Sequence, residues 1–485
     1  MNNKTKSLSK NTIFYLIYNV VNALFPFITG LYVTHVLLPG TIGNVEFARN
    51  LVQYFVIIAF LGIPTYGLRE ISKYRNNKES LNKIYSELMV INFISTLFFL
   101  ITYLTLIICI GRFNNDLCLY AVVGISLALN FLNNSWLFEG LEEFKYISIR
   151  NIVFKALSFL LLILFVKSDQ DYLMYGLITV VGTYGNYILN IIYCRKFVTF
   201  SLKELNLKRH MKSISYLVVV NLAIEIYTLV DVTMLGILNN NDTVAYYSYG
   251  VKINKILLQI VNTFTMVLVP RIAFFYKEKN INGFNKLIRK TLITIILITL
   301  PVIIGINYTA PFIITKLYGL NYIRSANVLK LISLVLIISP IGYLLGSRVL
   351  LSTNNENKMI IPVSLGALIN IILNYFFIRL FNEMGAALAS VLSELIVMFI
   401  YILLGKKYIK LDTFGRNLFK IVGASFIMLL FLMTIQTKFI DDMYVIIVKI
   451  IGAIIVYFTS LYVLKEEIVM DVLKKIKKKV KIGVR

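Results

Sequence analysis

Long apolar runs separated by short polar and basic clusters make up nearly the whole chain. A helix that crosses a bilayer needs about 20 mostly apolar residues. Fourteen stretches meet that demand, at approximately 12–36, 44–66, 86–110, 117–138, 149–167, 172–194, 213–238, 244–269, 291–311, 326–350, 359–380, 384–404, 420–436 and 444–463. They occupy most of the 485 residues and leave no room for a soluble domain. The pattern predicts an all-α polytopic membrane protein.

Composition excludes the alternatives. Apolar residues make up 58% and charged residues 15% of the chain, against roughly 45–50% and 25% in an average soluble protein. A soluble enzyme, a disordered chain and a disulfide scaffold are ruled out. The net charge of +25 would suit a nucleic-acid binder only if the basic residues gathered on one folded face. Here they are dispersed between apolar runs, so no nucleic-acid partner is expected. Cys109, Cys118 and Cys194 lie in or beside apolar runs and suggest no disulfide framework. His35 and His210 are too few for a histidine-built metal site. The run after Lys10 is too long for a cleavable leader and lacks a small-residue cleavage site.

The distribution of Lys and Arg sets the orientation. One alternating set of loops holds only five of the 49: Arg112, Lys167, Lys316, Arg324 and Lys438. The other set, with the amino end and the tail, holds most of the rest, which predicts that both termini face the cytoplasm of a cytoplasmic-membrane protein. In the tail, Ile468, Val469, Val472, Leu473, Ile476 and Val480 recur at helical spacing among lysines. That stretch reads either as an amphipathic helix on the inner leaflet or as a solvated, topology-setting tail.

Landmarks repeat at a shift of about 202 residues. Tyr15-Leu16 corresponds to Tyr216-Leu217, Gly43 to Ala48 to Ala245 to Gly250, Leu68-Arg69 to Pro270-Arg271, and Asn82 to Ile84 to Asn285 to Leu287. Six spans separate the copies, an even number, so they are parallel repeats of the kind transporters rock about a central site. The expected organisation is a six-helix lobe at 1–200, a second at 201–410, two further transmembrane helices at 411–463 and a basic cytoplasmic tail at 464–485.

Four stretches then carry a family resemblance. They are Gly62-Ile-Pro-Thr-Tyr-Gly-Leu-Arg-Glu-Ile-Ser72, Trp136 to Glu142 with Phe144-Lys-Tyr146, Asp231 within Leu229 to Gly236, and Gly366 through Asn370, Asn374 and Gly385-Ala386-Ala387 to Glu394. In this order they resemble the Wzx-type polysaccharide flippases of the multidrug/oligosaccharidyl-lipid/polysaccharide exporter superfamily. The resemblance implies a protein that moves a polyprenyl-pyrophosphate-linked oligosaccharide from the inner to the outer leaflet, for O-antigen or capsule synthesis. It also implies a polysaccharide polymerase and glycosyltransferases as partners, no enzymatic activity and no cofactor beyond a coupling Na⁺ or H⁺. A monomer is expected.

Such cargo calls for a hydrated cationic cavity, and ionisable groups within spans usually face one because they are costly in hydrocarbon. The eighth span carries Ser248, Lys252, Lys255, Gln259 and Asn262 on one helical face. The second carries Glu46, Arg49 and Gln53, and Arg49 precedes Lys252 by 203 residues. Arg49, Lys252 and Lys255 are therefore candidate pyrophosphate or acidic-sugar contacts; the alternative is snorkelling to an interface. Lys155 and Arg348 are weaker candidates, because each has the reach to snorkel to the cytoplasmic side. Tyr15, Asn19, Asn22 and Pro26 share a face of the first span, suited either to sugar hydroxyls or to polar contact between helices. The arginines that relatives flipping peptidoglycan precursors carry on this helix are missing.

The family resemblance further implies a sodium site from Asp231, Asn370, Asn374, Ser390 and a backbone oxygen near Ala386, a set of hard oxygen donors. A packing network is the alternative. Glu225 is a candidate proton-coupling group or partner of Lys252. Arg69 in the loop Arg69-Glu70, and Arg271 at the equivalent place, are candidate cytoplasmic gate residues or topology-setting charges. Two other functions compete: a multidrug/cation antiporter of the same fold, and a membrane glycosyltransferase or polymerase. Basic stripes argue against the first. Against the second stands the longest outer stretch, around Pro311 to Ser325, which contains neither acid nor histidine.

Overall fold

The computed structural model describes residues 8–266, 268–353, 355–409, 415–434 and 443–474. Among the described residues every regular element is helical. The chain divides into two compact units, Met1–Ser248 and Tyr249–Arg485. The first contains α1 (Leu8–Val33), α2 (Pro39–Ala59), α3 (Ile63–Tyr74), α4 (Lys78–Cys109), α5 (Leu117–Asn130), α6 (Ser135–Gly140), α7 (Phe144–Phe165), α8 (Tyr172–Tyr184), α9 (Leu189–Tyr193) and α10 (Lys208–Leu238). Helix α11 (Asn241–Met266) begins in the first unit and continues into the second. There follow α12 (Val269–Lys277), α13 (Ile281–Tyr318), α14 (Arg324–Ile332), α15 (Val335–Gly342), α16 (Val349–Ser352), α17 (Ile360–Phe381), α18 (Glu383–Gly405), α19 (Gly415–Thr434) and α20 (Met443–Val463). The last helix, α21 (Glu467–Lys474), turns 93° away from α20.

Helix covers each of the fourteen expected spans among the described residues. Ten helices there are long and apolar enough to cross a membrane, or eleven if α20 with α21 is counted as one bent span. Ile17–Val33 and Tyr227–Leu238 are shorter apolar helices, and α11 is too polar along its stripe to join the set. The chain is a multi-pass membrane protein. Element order reproduces the repeat: α2 and α11 begin 202 residues apart, α4 and α13 begin 203 apart.

The polar ties within each unit sort the loops into the two sets read from charge. In the first unit, the Lys/Arg-rich set is joined by Arg75 to Glu142 (2.8 Å), Thr199 N–H to Asn82 (2.9 Å) and Asn206 N–H to Glu87 (2.7 Å). The Lys/Arg-poor set is joined by Asn44 to Asp116 (2.6 Å), Tyr172 to Asp116 (3.1 Å) and Leu38 N–H to Asp169 (2.7 Å). In the second unit, Lys290 to Asp471 and Asn417 to Glu467 join rich segments, whereas Arg324 to Glu383 joins poor ones. No tie among these mixes the sets. Lys438 lies outside the described residues.

The Gly62-to-Ser72 motif has a physical explanation. Gly62 has φ +68°, a left-handed turn that glycine adopts without a Cβ clash, and it opens α3 just ahead of Pro64. One turn on, a Cβ at Gly67 would stand 2.6 Å from the ring of Trp136, which is fully buried. The motif therefore seats α6 against α3 at the Lys/Arg-rich end.

Three expected straight spans are broken. The fourth ends at Asn130 and resumes as α6, the sixth passes through a 3₁₀ turn at Gly185–Ile188, and the tenth contains a π-helical turn at Tyr343–Arg348. One pair of buried side chains joins the first two breaks. Arg150 donates to Asn190 and to Ser135, and the Asn190 amide donates to the Leu132 carbonyl at 2.8 Å.

Helices α19 and α20 pack on α13 through Ile421, Ala424, Met428 and Leu432 on one and Ala453, Tyr457 and Leu461 on the other. Pro301 lies inside α13 and has no N–H, so the Leu297 carbonyl loses its helical donor. The Tyr457 hydroxyl supplies the replacement at 2.7 Å. In α21, Ile468 and Val469 pack against the same core, which fits the amphipathic reading of the tail; Ile476 and Val480 lie outside the described residues.

Candidate functional site

In the first unit, α2 presents Glu46, Arg49, Asn50 and Gln53 along one side. Arg49 lies 3.5 Å from Glu46, one turn earlier. Gln53 accepts from Tyr184 at 2.7 Å, and Asn50 accepts from Thr233 of α10 at 2.7 Å. Thr233 in turn is 2.9 Å from the Tyr54 hydroxyl. The carboxylate of Asp231 is buried and accepts a hydrogen bond from Tyr247. Glu225, two turns before it, is half-buried and accepts from Thr228 at 3.2 Å. On α1, Asn19 and Asn22 are half-buried, and Asn22 bonds Tyr18.

Two cations on α7 lie near this group. Lys155 does not reach to an interface: it is 7% exposed, with its ammonium 4.6 Å from the centre of the Phe25 ring and within electrostatic range of Arg49. Arg150, which lies at the start of the fifth expected span, is 4% exposed and lies against the rings of Tyr146 and Tyr187. The available signal was its spacing: Arg150 and Lys155 fall a turn and a half apart inside an apolar run.

In the second unit, the α11 stripe is graded in exposure. Lys252 is half-buried, with its ammonium 3.9 Å over the ring of Tyr249. Tyr249 is itself fully buried against Tyr318 (4.7 Å) and Tyr322 (5.2 Å). Lys255 and Gln259 are exposed and Asn262 is half-buried. Arg348, in the π-helical turn, stacks 5.8 Å from Tyr343.

On α17 and α18, buried amides and hydroxyls connect. Asn374 donates to Asn370 at 3.1 Å, Asn370 to Ser393 at 3.4 Å, and Ser393 to the Ser390 carbonyl at 3.0 Å. The second unit thus brings Asn370, Asn374 and Ser390 into one network, with Ser393 as a member the motif reading missed. Asp231 belongs to the first unit.

The expected gate residues sit on helices, not in loops. Arg69 lies on α3, exposed, 3.4 Å from Glu70 and over the Tyr66 ring at 5.3 Å. Arg271 lies on α12 over Phe275 at 5.8 Å. Pro64 and Pro270, at the first turns of these helices, carry the chain directly into helix where the apolar pattern suggests a connection. Close to Arg69, His210 is 2% exposed and bonds Glu87 and Tyr66, each at 2.8 Å. Burial pushes the His210 imidazole below its ordinary range, against the opposing pull of Glu87.

Helical units of matching element order, with cations inside apolar helices, describe a multi-pass membrane protein built on an internal repeat. The chain belongs to the polysaccharide biosynthesis protein family, whose family model matches residues 8–275, and the resemblance carried by the motifs is borne out. A curated relative, the putative O-antigen transporter of Escherichia coli (strain K12), is 22% identical over 405 residues, covering 82% of this chain and 96% of the relative. Among solved structures, the lipid II flippase MurJ in an inward closed conformation superposes with a TM-score of 0.76 at 17% identity, covering 94% of this chain and all of that one. An inward-facing multidrug resistance MATE transporter of the MOP superfamily superposes with a TM-score of 0.67 at 15% identity, over 81% of this chain and 97% of that one. The relatives are transporters and flippases, not catalysts.

Proposed function

We propose that this protein is a flippase for a polyprenyl-pyrophosphate-linked oligosaccharide, moving it from the inner to the outer leaflet of the cytoplasmic membrane by cation-coupled alternating access. One observation carries the reading: each repeat holds a cation in its second helix at the same register, Arg49 and Lys252, with Lys155 near the first and Lys255 one turn beyond the second. A pyrophosphate carries charge that hydrocarbon rejects, and fixed cations replace the water it leaves. In this reading Arg49, Lys155, Lys252 and Lys255 hold the pyrophosphate, while Asn19, Asn22 and Gln259 meet sugar hydroxyls. The polyprenyl tail stays in the bilayer.

Coupling in this reading falls to Asp231 with the Asn370, Asn374 and Ser390 network when Na⁺ is the ion, or to Glu225 when it is H⁺. Arg69 and Arg271 act at the cytoplasmic gate. Both termini lie in the cytoplasm, and a polymerase and glycosyltransferases supply and consume the cargo. An organic-cation exporter of the same fold would need acid-lined helices where this chain has basic ones.

The test is reconstitution of the purified protein in liposomes with a lipid-linked oligosaccharide, scoring its appearance in the outer leaflet. The wild type is expected to move it; Arg49→Ala and Lys252→Ala should not keep pace. Unchanged movement in both variants rejects the charge assignment, and cation dependence that survives Asp231→Asn rejects the sodium site.

A further inference from the structure

Two adjoining cavities, of about 360 and 370 Å³, open at the Lys/Arg-poor end of the first unit. They share Asn44, Asp116 and Tyr172, and they lie between the start of α2 and the connections α4–α5 and α7–α8. We propose that this double pocket is a carbohydrate-binding subsite for neutral or amino sugars. It deepens the flippase reading, on which it rests, by giving the cargo's glycan a contact separate from that of its pyrophosphate.

The walls are preorganised. Asp116 is held by the Asn44 amide at 2.6 Å and the Tyr172 hydroxyl at 3.1 Å. Asp169 accepts from the Leu38 N–H at 2.7 Å and the Thr41 hydroxyl at 2.8 Å, so it is fixed at the first turn of α2. Each carboxylate has about four acceptor positions and uses two on these bonds, which leaves aimed lone pairs for ligand hydroxyls. Asn115 and Gln170 add exposed amides that both donate and accept. Neighbouring sugar hydroxyls need that combination of paired donors and acceptors, and the Tyr172 ring offers an apolar face beside them.

Charge narrows the ligand class. The pocket's one guanidinium, Arg112, already donates to the Gly236 and Ile237 carbonyls at the end of α10 and lies 5.5 Å over the Phe47 ring. Two carboxylates, Asp116 and Asp169, against this one guanidinium leave the pocket net negative. A free phosphate or a uronic acid is repelled, whereas a hydroxyl, acetamido or ammonium group is accepted. This is the opposite of what Arg49, Lys252 and Lys255 accept, so the two sites divide headgroup from glycan.

The probe is the soluble oligosaccharide released by mild acid from the producing cell's own polyprenyl-linked pool. Its binding to the detergent-solubilised full chain is followed by saturation-transfer NMR, with inorganic pyrophosphate as an anionic comparison. The wild type should bind the glycan, and Asn115→Ala/Gln170→Ala should bind it at least about tenfold more weakly. Both side chains are exposed, so the double variant keeps its fold, and its melting temperature verifies this. Tyr172→Phe gives a second, smaller loss. Glycan binding undiminished in the double variant, or absent from the wild type, overturns the pocket. If the wild type still flips lipid-linked cargo in that case, the flippase reading survives alone. If instead the glycan binds at the pocket and no lipid-linked cargo moves, the pocket stands and the flippase reading falls.

Discussion

Glu46 with Arg49 in the first unit and Tyr249 with Lys252 in the second occupy equivalent positions, 203 residues apart. In each, a cation on a membrane helix meets the residue one turn before it. The partner is a carboxylate at 3.5 Å in one copy and an aromatic face at 3.9 Å in the other. A carboxylate offsets the charge it holds, whereas a ring orients the ammonium without bringing an opposite formal charge of its own. The duplicated helix has thus kept the position of its cation and diverged in the neighbour one turn before it, acidic in the first unit and aromatic in the second.

The sharpest way to break this comparison is to remove the cation that lies over the ring. Lys252→Ala should slow movement of lipid-linked oligosaccharide in liposomes by about a hundredfold, the upper range for losing a charged hydrogen bond, while Lys252→Arg retains most of the rate. Arg49→Ala should cost about tenfold in the same assay, because Glu46 already offsets part of its charge. Equal losses in the two variants would sink the asymmetry. Glu46→Gln should act in the other direction, lowering the half-saturating cargo concentration by about threefold, since it releases Arg49 from its partner.

The smallest effect compares the Lys/Arg-rich ends of the two units. The first is fastened by His210 to Glu87 and Tyr66; the second is fastened by Lys290 to Asp471 and Asn417 to Glu467. Of these groups His210 is the one whose ordinary pKa lies near neutrality. Its folded-state pKa lies below the unfolded value of about 6.5, so the folded chain binds fewer protons. Stability from this site is present above that pH and is lost as pH falls through it. Thermal unfolding should come roughly 2–4 °C earlier at pH 5.5 than at pH 7.5, and His210→Asn should flatten that difference.

Span number, loop alternation and the repeat were legible because each depends on composition over 20 residues or more. Hydrocarbon thickness fixes the length of the apolar runs, and charge marks their ends. The breaks in spans four, six and ten were not legible. The 3₁₀ turn begins at Gly185, but what holds it is the buried Arg150–Asn190 pair bonded to Leu132 and Ser135, contacts between residues up to 58 apart. Of the candidate site, Arg49, Lys252, Asp231 and the Asn370–Asn374 pair could be found because polar residues are conspicuous in apolar runs. Lys155 was rated below Arg49 because a long side chain near a span end looks able to reach water, and only packing against Phe25 shows that it does not; Arg150, packed on Tyr146 and Tyr187, was not among the candidates.

The hydroxyl of Tyr457 reaches the carbonyl that Pro301 orphans, and this changes what the last helices are for. A proline at that depth would otherwise leave a bare dipole facing oil, so α20 works as a splint for α13. The carboxy-terminal pair therefore sets the rigidity of the repeat it leans on, and trimming the chain to twelve spans would remove a structural brace along with the two helices.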